Sequence, residues 1–266
     1  MRRILGTSLA LLALLALLTL SASCEQRRVT CTAAHGGFAA KYTLKPGSKR
    51  GEGACDTLKG EIIGIEKYNP RQAGNPQRPD PTRAHLAVRA SGIAFPAFAA
   101  QGAQVELGPT ALDALGDFAS VDPDGSDVCA VPSFTEATLS IPAYEEPPPP
   151  DAPEGTPPTQ HPAVDISYAW SNFRIYVTAA YPGTQIVGEL TYTQDGCSAS
   201  YSVVGLYPAV ECAPGGVPDP SLCDPHPDLA NGRAFGSGIN PDFADRVTCD
   251  AETGLCVLTS LPEELR

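Results

Sequence analysis

The stretch DISYAWSNFRIYVT, residues 165–178, opens the region of the chain that decides the fold. Its apolar side chains alternate with polar ones in one phase up to Trp170 and in the opposite phase from Phe173 onward. Strict alternation is typical of a strand with one buried face. A shift of one residue within such a strand is typical of a β-bulge, which we place at Ser171–Asn172.

The next two strands are predicted by a hairpin signal. Asp195–Gly196 is a favoured two-residue turn between antiparallel strands. Counting outward from it pairs Gln194 with Cys197 and Leu190 with Tyr201, and in that register the apolar faces of both strands coincide. The three strands therefore form an antiparallel meander. Because a sheet with one apolar face needs a second layer, we predict a mainly β, antiparallel β-sandwich-like domain with long loops.

Further elements are predicted less directly from shorter patterns. Apolar and polar residues alternate around Leu86 and Val88, which indicates a strand. The other predicted elements are strands at Phe38–Leu44 and Glu61–Tyr68, a short helix over residues 110–118 (TALDALGDF) and a tight turn at Pro182–Gly183.

Eight of the eighteen residues from 145 to 162 are proline. Such a segment favours an extended polyproline conformation and cannot join a central strand. We interpret the segment as a long surface loop or as a linker. A third interpretation is that it is a ligand bound by an aromatic groove of another protein. We treat residues 24–266 as one β-rich extracytoplasmic domain with this proline-rich loop or linker at 145–162.

The N-terminus reads as an export signal, predicted to end at residue 23. Arg2 and Arg3 precede the ten apolar residues Leu9–Leu18, which are too few to span a bilayer as a helix. The segment Leu20–Cys24 (LSASC) resembles the lipobox of bacterial lipoproteins, although Ser21 stands where that family prefers leucine. The resemblance implies cleavage before Cys24 and attachment of fatty-acyl chains such as palmitate to that residue. An ordinary secreted protein cleaved near the same position is the alternative.

The number of cysteines also indicates export to an oxidising compartment. The chain has nine cysteines, so lipid on Cys24 leaves an even number for disulfides. The candidates are Cys31, Cys55, Cys129, Cys197, Cys212, Cys223, Cys249 and Cys256. Spacing favours the bonds Cys249–Cys256, across a short hairpin, and Cys212–Cys223, around a turn-rich loop. Zinc ligation is disfavoured because the four histidines show no zinc-finger spacing.

Much of the chain after residue 160 is similar to envelope lipoproteins of predatory, GC-rich soil bacteria. The segments that carry the resemblance are YAWSNFRIYVTAAYPGTQ (168–185), LTYTQDGCSASYSVVGLYPAVEC (190–212), SGINPDF (237–243) and CDAETGLCVL (249–258). The resemblance implies a class of protein and no mechanism.

Charge is distributed unevenly along the chain. Residues 24–89 contain twelve Lys and Arg against six Asp and Glu, whereas residues 90–266 contain four against twenty-four. The basic part could rest on anionic lipid while the acidic part faces away, or the two parts could fold together and neutralise each other. Nucleic acid is an implausible partner for so acidic a chain.

Motifs for catalysis, metals and cofactors are absent from the sequence. It contains no G-x-S-x-G, no phosphate-binding loop and no H-E-x-x-H. The acidic run Asp122–Asp127 lacks the full pattern of a calcium loop and reads as an acidic turn. Five aromatic residues, which we expect in the core rather than on a platform for sugars or peptides, are Tyr168, Trp170, Phe173, Tyr176 and Tyr181.

The sequence therefore predicts a protein with a binding or structural role, no catalytic residues and no cofactor. Its predicted contacts are the membrane, through the lipid, and a protein or glycan ligand that the sequence does not specify. An envelope hydrolase is the rival class.

The lipid anchor generates the first testable prediction. Metabolic labelling with a fatty acid should mark the wild-type protein, and Cys24→Ser should abolish the label and release the protein from the membrane fraction, because Cys24 carries the acyl chains. Glu25 follows the cysteine in place of an aspartate that resembles an inner-membrane retention signal, so density-gradient fractionation should place the wild type in the outer membrane. An unlabelled wild type would show that the anchor prediction is wrong.

Overall fold

The structure, a computed structural model, describes residues 29–266, so the predicted signal peptide and Cys24 lie outside the described residues. Fifteen strands and one α-helix occur within this range. Their bounds are β1 Gly36–Leu44, β2 Gly60–Tyr68, β3 Arg71–Gln72, β4 Asn75–Pro79, β5 His85–Ala90, α1 Ser91–Gly102, β6 Ala114–Asp117, β7 Val128–Ser133, β8 Ala137–Ile141, β9 Tyr144–Glu146, β10 Thr159–His161, β11 Val164–Val177, β12 Pro182–Gln194, β13 Cys197–Leu206, β14 Val247–Asp250 and β15 Leu255–Leu258.

Nine strands form one antiparallel sheet in the order β6-β5-β2-β1-β13-β12-β11, and the outer edge of β11 pairs with both β7 and β8. The two ends of the sheet approach each other, because isolated bridges join Gly116 to Phe134 and Ala111 to Thr138. The sheet is thus a nearly closed barrel whose opposite walls face each other across one apolar core. The predicted mainly β, antiparallel, disulfide-bonded fold is confirmed.

The predicted meander is confirmed with its register. Gln194 pairs with Cys197 and Leu190 with Tyr201 across the Asp195–Gly196 turn. The preceding turn lies four residues earlier than predicted: it occupies residues 178–181, and Pro182 is already the first residue of β12. A proline is tolerated at the first position of a strand, where its missing N–H costs little.

The predicted bulge is also confirmed. The register of β11 against β12 shifts between Ser171 and Arg174, and Asn172 adopts a left-handed conformation with φ of 53°. The shift returns Phe173 to the barrel interior, where it is fully buried. Gly188 on β12 makes room for this ring, since a Cβ there would lie 2.2 Å from Phe173 Cδ1.

The helix predicted over residues 110–118 is wrong. That segment contains β6, in which Ala114 and Gly116 face inward and their neighbours face outward. The real helix, α1, contains Pro96 and no charged residue, and it buries Ile93 and Ala97 on one side. Proline in a helical pattern normally marks a break, which is why the sequence did not reveal this helix. Within residues 29–266, no helix is long and apolar enough to cross a membrane.

The proline-rich segment connects two paired strands. Ile141 of β8 lies opposite Val164 of β11, and the short strands β9 and β10 extend this pairing with Glu146 opposite Thr159. Residues 147–158 therefore form the end of a long hairpin.

Residues 207–266 cover part of the outer face of the barrel. Leu255 and Val257 of β15 pack against the outward side chains Ala39 and Ile62 of β1 and β2. Near the C-terminus, Leu265 packs against outward residues of β7 and β12. This layer leaves the outer faces of β5, β6 and the end of β2 uncovered.

Candidate functional site

All eight cysteines predicted to form disulfides do so. The bonds are Cys31–Cys129, Cys55–Cys197, Cys212–Cys249 and Cys223–Cys256, with Cα–Cα distances of 5.5–5.7 Å. The predicted bonds Cys249–Cys256 and Cys212–Cys223 are therefore wrong.

The error has a physical reason. Cys249 and Cys256 do lie opposite each other in the β14–β15 hairpin, as the spacing indicated. However, the segment containing Cys212 and Cys223 passes over that hairpin, so each hairpin cysteine meets a different partner. The sulfurs of Cys212, Cys223 and Cys256 lie within 4.8 Å of one another only because the two bonds are adjacent, and none of them offers a thiolate to a metal.

Glu61, near the start of β2, accepts hydrogen bonds from three other elements of the barrel. Tyr42 and Tyr168 each donate a hydrogen bond of 3.0 Å to Glu61 Oε1. Ser91 Oγ donates one of 3.0 Å to Oε2, and the backbone N–H of Gly92 donates another. The carboxylate thus joins β1, β2, β11 and the first turn of α1.

Burial raises the pKa of the Glu61 carboxyl, and its four hydrogen bonds oppose that rise. The same burial, with the nearby Glu61 charge, raises the pKa of Tyr42 and Tyr168, so both remain protonated donors. Ala90 at the N-cap of α1 offers no side chain to the free N–H groups of the helix. Glu61 therefore acts as a cap supplied from another element, and the positive end of the helix dipole favours its charge.

The acidic run forms a turn. The Asp124 carboxylate accepts hydrogen bonds of 2.8 Å from the N–H of Ser126 and 3.0 Å from that of Val128. This is the local Asx geometry of a turn, in keeping with the acidic-turn reading. Of the aromatic set, Tyr168, Trp170 and Phe173 are buried in the core.

The uncovered outer face contains a groove of about 560 Å³, which we call the outer groove. Its floor is low because Gly64 and Ala87 present little or no side chain. Tyr68 and Leu115 form apolar walls and are 40% and 41% exposed. The lining residues are His35, Gly36, Gly64, Ile65, Glu66, Tyr68, Ala87, Arg89, Asp113 and Leu115.

The polar side chains of the outer groove lie in two pairs. Arg89 binds Asp113 through two hydrogen bonds, from Nε at 2.7 Å and from Nη2 at 2.6 Å. His35 Nδ1 lies 3.8 Å from a carboxylate oxygen of Glu66. A ligand would therefore meet apolar walls between the Arg89–Asp113 pair and the exposed polar side chains His35 and Glu66.

The outer groove has no clear signature in the sequence. Its residues come from β1, β2, β5, β6 and the segments beside them, and on each strand they look like ordinary outward-facing positions. The only local signal is an apolar side chain at an outward position, as at Leu115.

A barrel-like β domain cross-linked by four disulfides defines a protein that matures in an oxidising compartment such as the cell envelope. The sequence model of the MlpA family matches residues 36–208, more than half of the chain. The chain therefore belongs to the MlpA family. A Myxococcus xanthus protein named "Putative lipoprotein MlpA" is 29% identical over 265 residues, which cover 96% of this chain and 95% of that protein. No solved structure matches the chain.

The family match begins at the first residue of β1 and ends two residues after β13, so it coincides with the barrel and excludes most of the covering layer. Membership agrees with the class that the lipobox-like segment indicates, an envelope lipoprotein.

Glu61→Gln tests the buried cap. A folded-state pKa raised above the unfolded value of about 4.3 means that ionisation of Glu61 destabilises the folded state as pH rises between the two values. Glutamine does not ionise. In acid the free energy of unfolding of the wild type should exceed that of the variant by about 1 kcal/mol, and this difference should shrink as pH rises. Urea unfolding of both proteins from about pH 4 to pH 8 measures the difference.

The exposed carboxylate Glu66 provides a matched control, because Glu66→Gln removes the same charge from a position at the protein surface. A constant difference between the wild type and Glu61→Gln at all pH values would contradict the proposed burial of the charge.

Proposed function

We propose that this protein is a lipid-anchored envelope protein with no catalytic role, which binds a protein or glycan ligand in the outer groove. Cys24 is the proposed lipid site. The observation that carries the proposal is the uncovered outer face of β5, β6 and the end of β2, beside strands that the C-terminal layer covers.

The shape of the groove supports binding of a small or extended segment. Its volume falls within the range of about 300–1,000 Å³ that is typical of ligand sites. Tyr68 supplies an apolar face with a polar tip, a combination favoured at binding surfaces. The Arg89–Asp113 pair is held at one end and can exchange hydrogen bonds with polar groups of a ligand.

The composition of the groove favours binding over hydrolysis. The described residues that line it include no serine, threonine or cysteine, and the Asp113 carboxylate is already bound by Arg89 through two hydrogen bonds. The buried Glu61 carboxylate is turned to the interior, where four protein donors already occupy its oxygens.

Photo-cross-linking in cells tests this function. A photoreactive amino acid at Leu115 should yield an adduct of defined mass, whereas the same residue at Val217, which is 69% exposed elsewhere, should not. Gly64→Val should narrow the groove and so suppress the Leu115 adduct. It should leave the core intact, because an added Cβ meets only the Arg89 carbonyl oxygen, at 3.7 Å.

Equal labelling at Leu115 and Val217, or an adduct that survives Gly64→Val in a protein with an unchanged melting temperature, would contradict the groove as the binding site.

A further inference from the structure

The first described residues of the chain lie at one end of the barrel. The described chain begins at Val29, and the disulfide Cys31–Cys129 fixes it beside the start of β7. The backbone N–H of Ala34 also donates to the carbonyl oxygen of Gly183, at the start of β12. We call this end of the barrel the N-terminal end.

The connection between β2 and β5 lies at the same end. β2 runs antiparallel to β1, and Ile65 near its end pairs with Gly36 at the start of β1. The chain after Tyr68 therefore leaves the barrel at the N-terminal end and returns at His85. Within this connection β3 and β4 form a hairpin in which every residue of both strands is exposed.

The hairpin is fixed at its base rather than loosely attached. The side-chain amide of Asn69 donates hydrogen bonds to the carbonyl oxygens of Asp80 and Arg83, which tie the start of the connection to its end. The Asp80 carboxylate is engaged by the backbone and the hydroxyl of Thr82. The acidic group of the connection is thus already bonded within its own turn.

Basic residues fall into three groups on this half of the chain. Five of those between Lys41 and Arg89 form ion pairs with acidic side chains: Lys41, Lys45, Lys49, Lys59 and Arg89. Arg50 donates to backbone carbonyls. The remaining four all belong to the β2–β5 connection or its edge, and none lies within 4 Å of an acidic group among residues 29–266: Lys67, Arg71, Arg78 and Arg83.

We propose that these four residues form a surface that docks on the anionic phospholipid headgroups of the membrane that carries the lipid anchor. This inference rests on the proposed anchor for its geometry. Cys24 is five residues before Val29, and an extended chain of that length reaches only about 17 Å. The N-terminal end of the barrel must then face the bilayer, and the basic hairpin projects from that end.

Charge determines which side of that end turns to the lipid. The acidic turn containing Asp122, Asp124 and Asp127 lies beside Val29, so an anionic surface repels that side. The hairpin emerges between β2 and β5, and β5 separates it from β6, the strand that leads into this turn. Each basic residue near an anionic surface contributes about fivefold to binding, and the rest of this acidic protein is repelled. The barrel is therefore tilted with the hairpin against the membrane and with α1, at the opposite end, directed away from it.

Vesicle sedimentation tests the surface without the anchor. The predicted mature chain, residues 24–266 carrying Cys24→Ser, is mixed with vesicles of phosphatidylglycerol and phosphatidylcholine, and separately with phosphatidylcholine vesicles. We expect binding to the anionic vesicles only, weakening as added salt shortens the screening length. Arg71→Gln with Arg78→Gln and Arg83→Gln should lower the partition coefficient about 100-fold.

A matched control removes the same charge from the opposite end. The triple variant Lys45→Gln, Lys49→Gln and Lys59→Gln should change the partition coefficient by less than about threefold, because those residues are distant from the membrane and their surface ion pairs contribute little to stability. Melting temperatures confirm that both variants fold.

Equal losses in the two triple variants, undiminished binding by the hairpin variant, or no preference for anionic vesicles would overturn the proposal. The assay contains neither acyl chain nor groove ligand, so a failure of fatty-acid labelling or of cross-linking at Leu115 can be distinguished from a failure of this surface.

Discussion

The pairing of β11 on both of its edges is the constraint on which the rest of the structure depends. One edge follows β12 along almost its whole length, and the other holds β7 and β8. A fourteen-residue strand cannot remain straight in so small a barrel, and the bulge at Asn172 gives it the bend it needs. In the curled sheet, side chains from the inner face fill the core. Surfaces that could bind a ligand therefore lie at the ends of the barrel and on its outer face.

Sequence patterns predicted the part of the fold that depends on local periodicity. The meander, its register and the bulge follow from alternation between residues 165 and 207, and the strands around Phe38, Ile63 and Leu86 were found in the same way. Alternation is a reliable signal here because each strand has one face buried, so a slip of one residue would expose that face to water. The turn at Asp195–Gly196 fixed the register independently.

Features that depend on long-range contacts could not be predicted from the sequence. Closure of the sheet requires contacts between β6 and the segment after β7, and nothing local specifies them. The cysteine bonds were misassigned because spacing identified the neighbours in the β14–β15 hairpin but not the segment that crosses it. For the same reason the outer groove and the cap at Glu61 were missed, since each combines residues from several strands. Five basic side chains are neutralised by ion pairs within the fold, as one charge reading predicted, and four have no acidic partner within 4 Å in its described part. Contact of the basic part with anionic lipid stays a prediction.

Mapping the disulfides of the oxidised protein tests the account most directly. Two bonds tie β7 and β13 to the segments before β1 and β2, and two fasten the covering layer that leaves the outer groove open. Non-reducing proteolysis and mass spectrometry should yield linked peptides for Cys31–Cys129, Cys55–Cys197, Cys212–Cys249 and Cys223–Cys256. A peptide closed by Cys249–Cys256, or a free thiol among these eight residues, would contradict the described arrangement of the barrel and its cover.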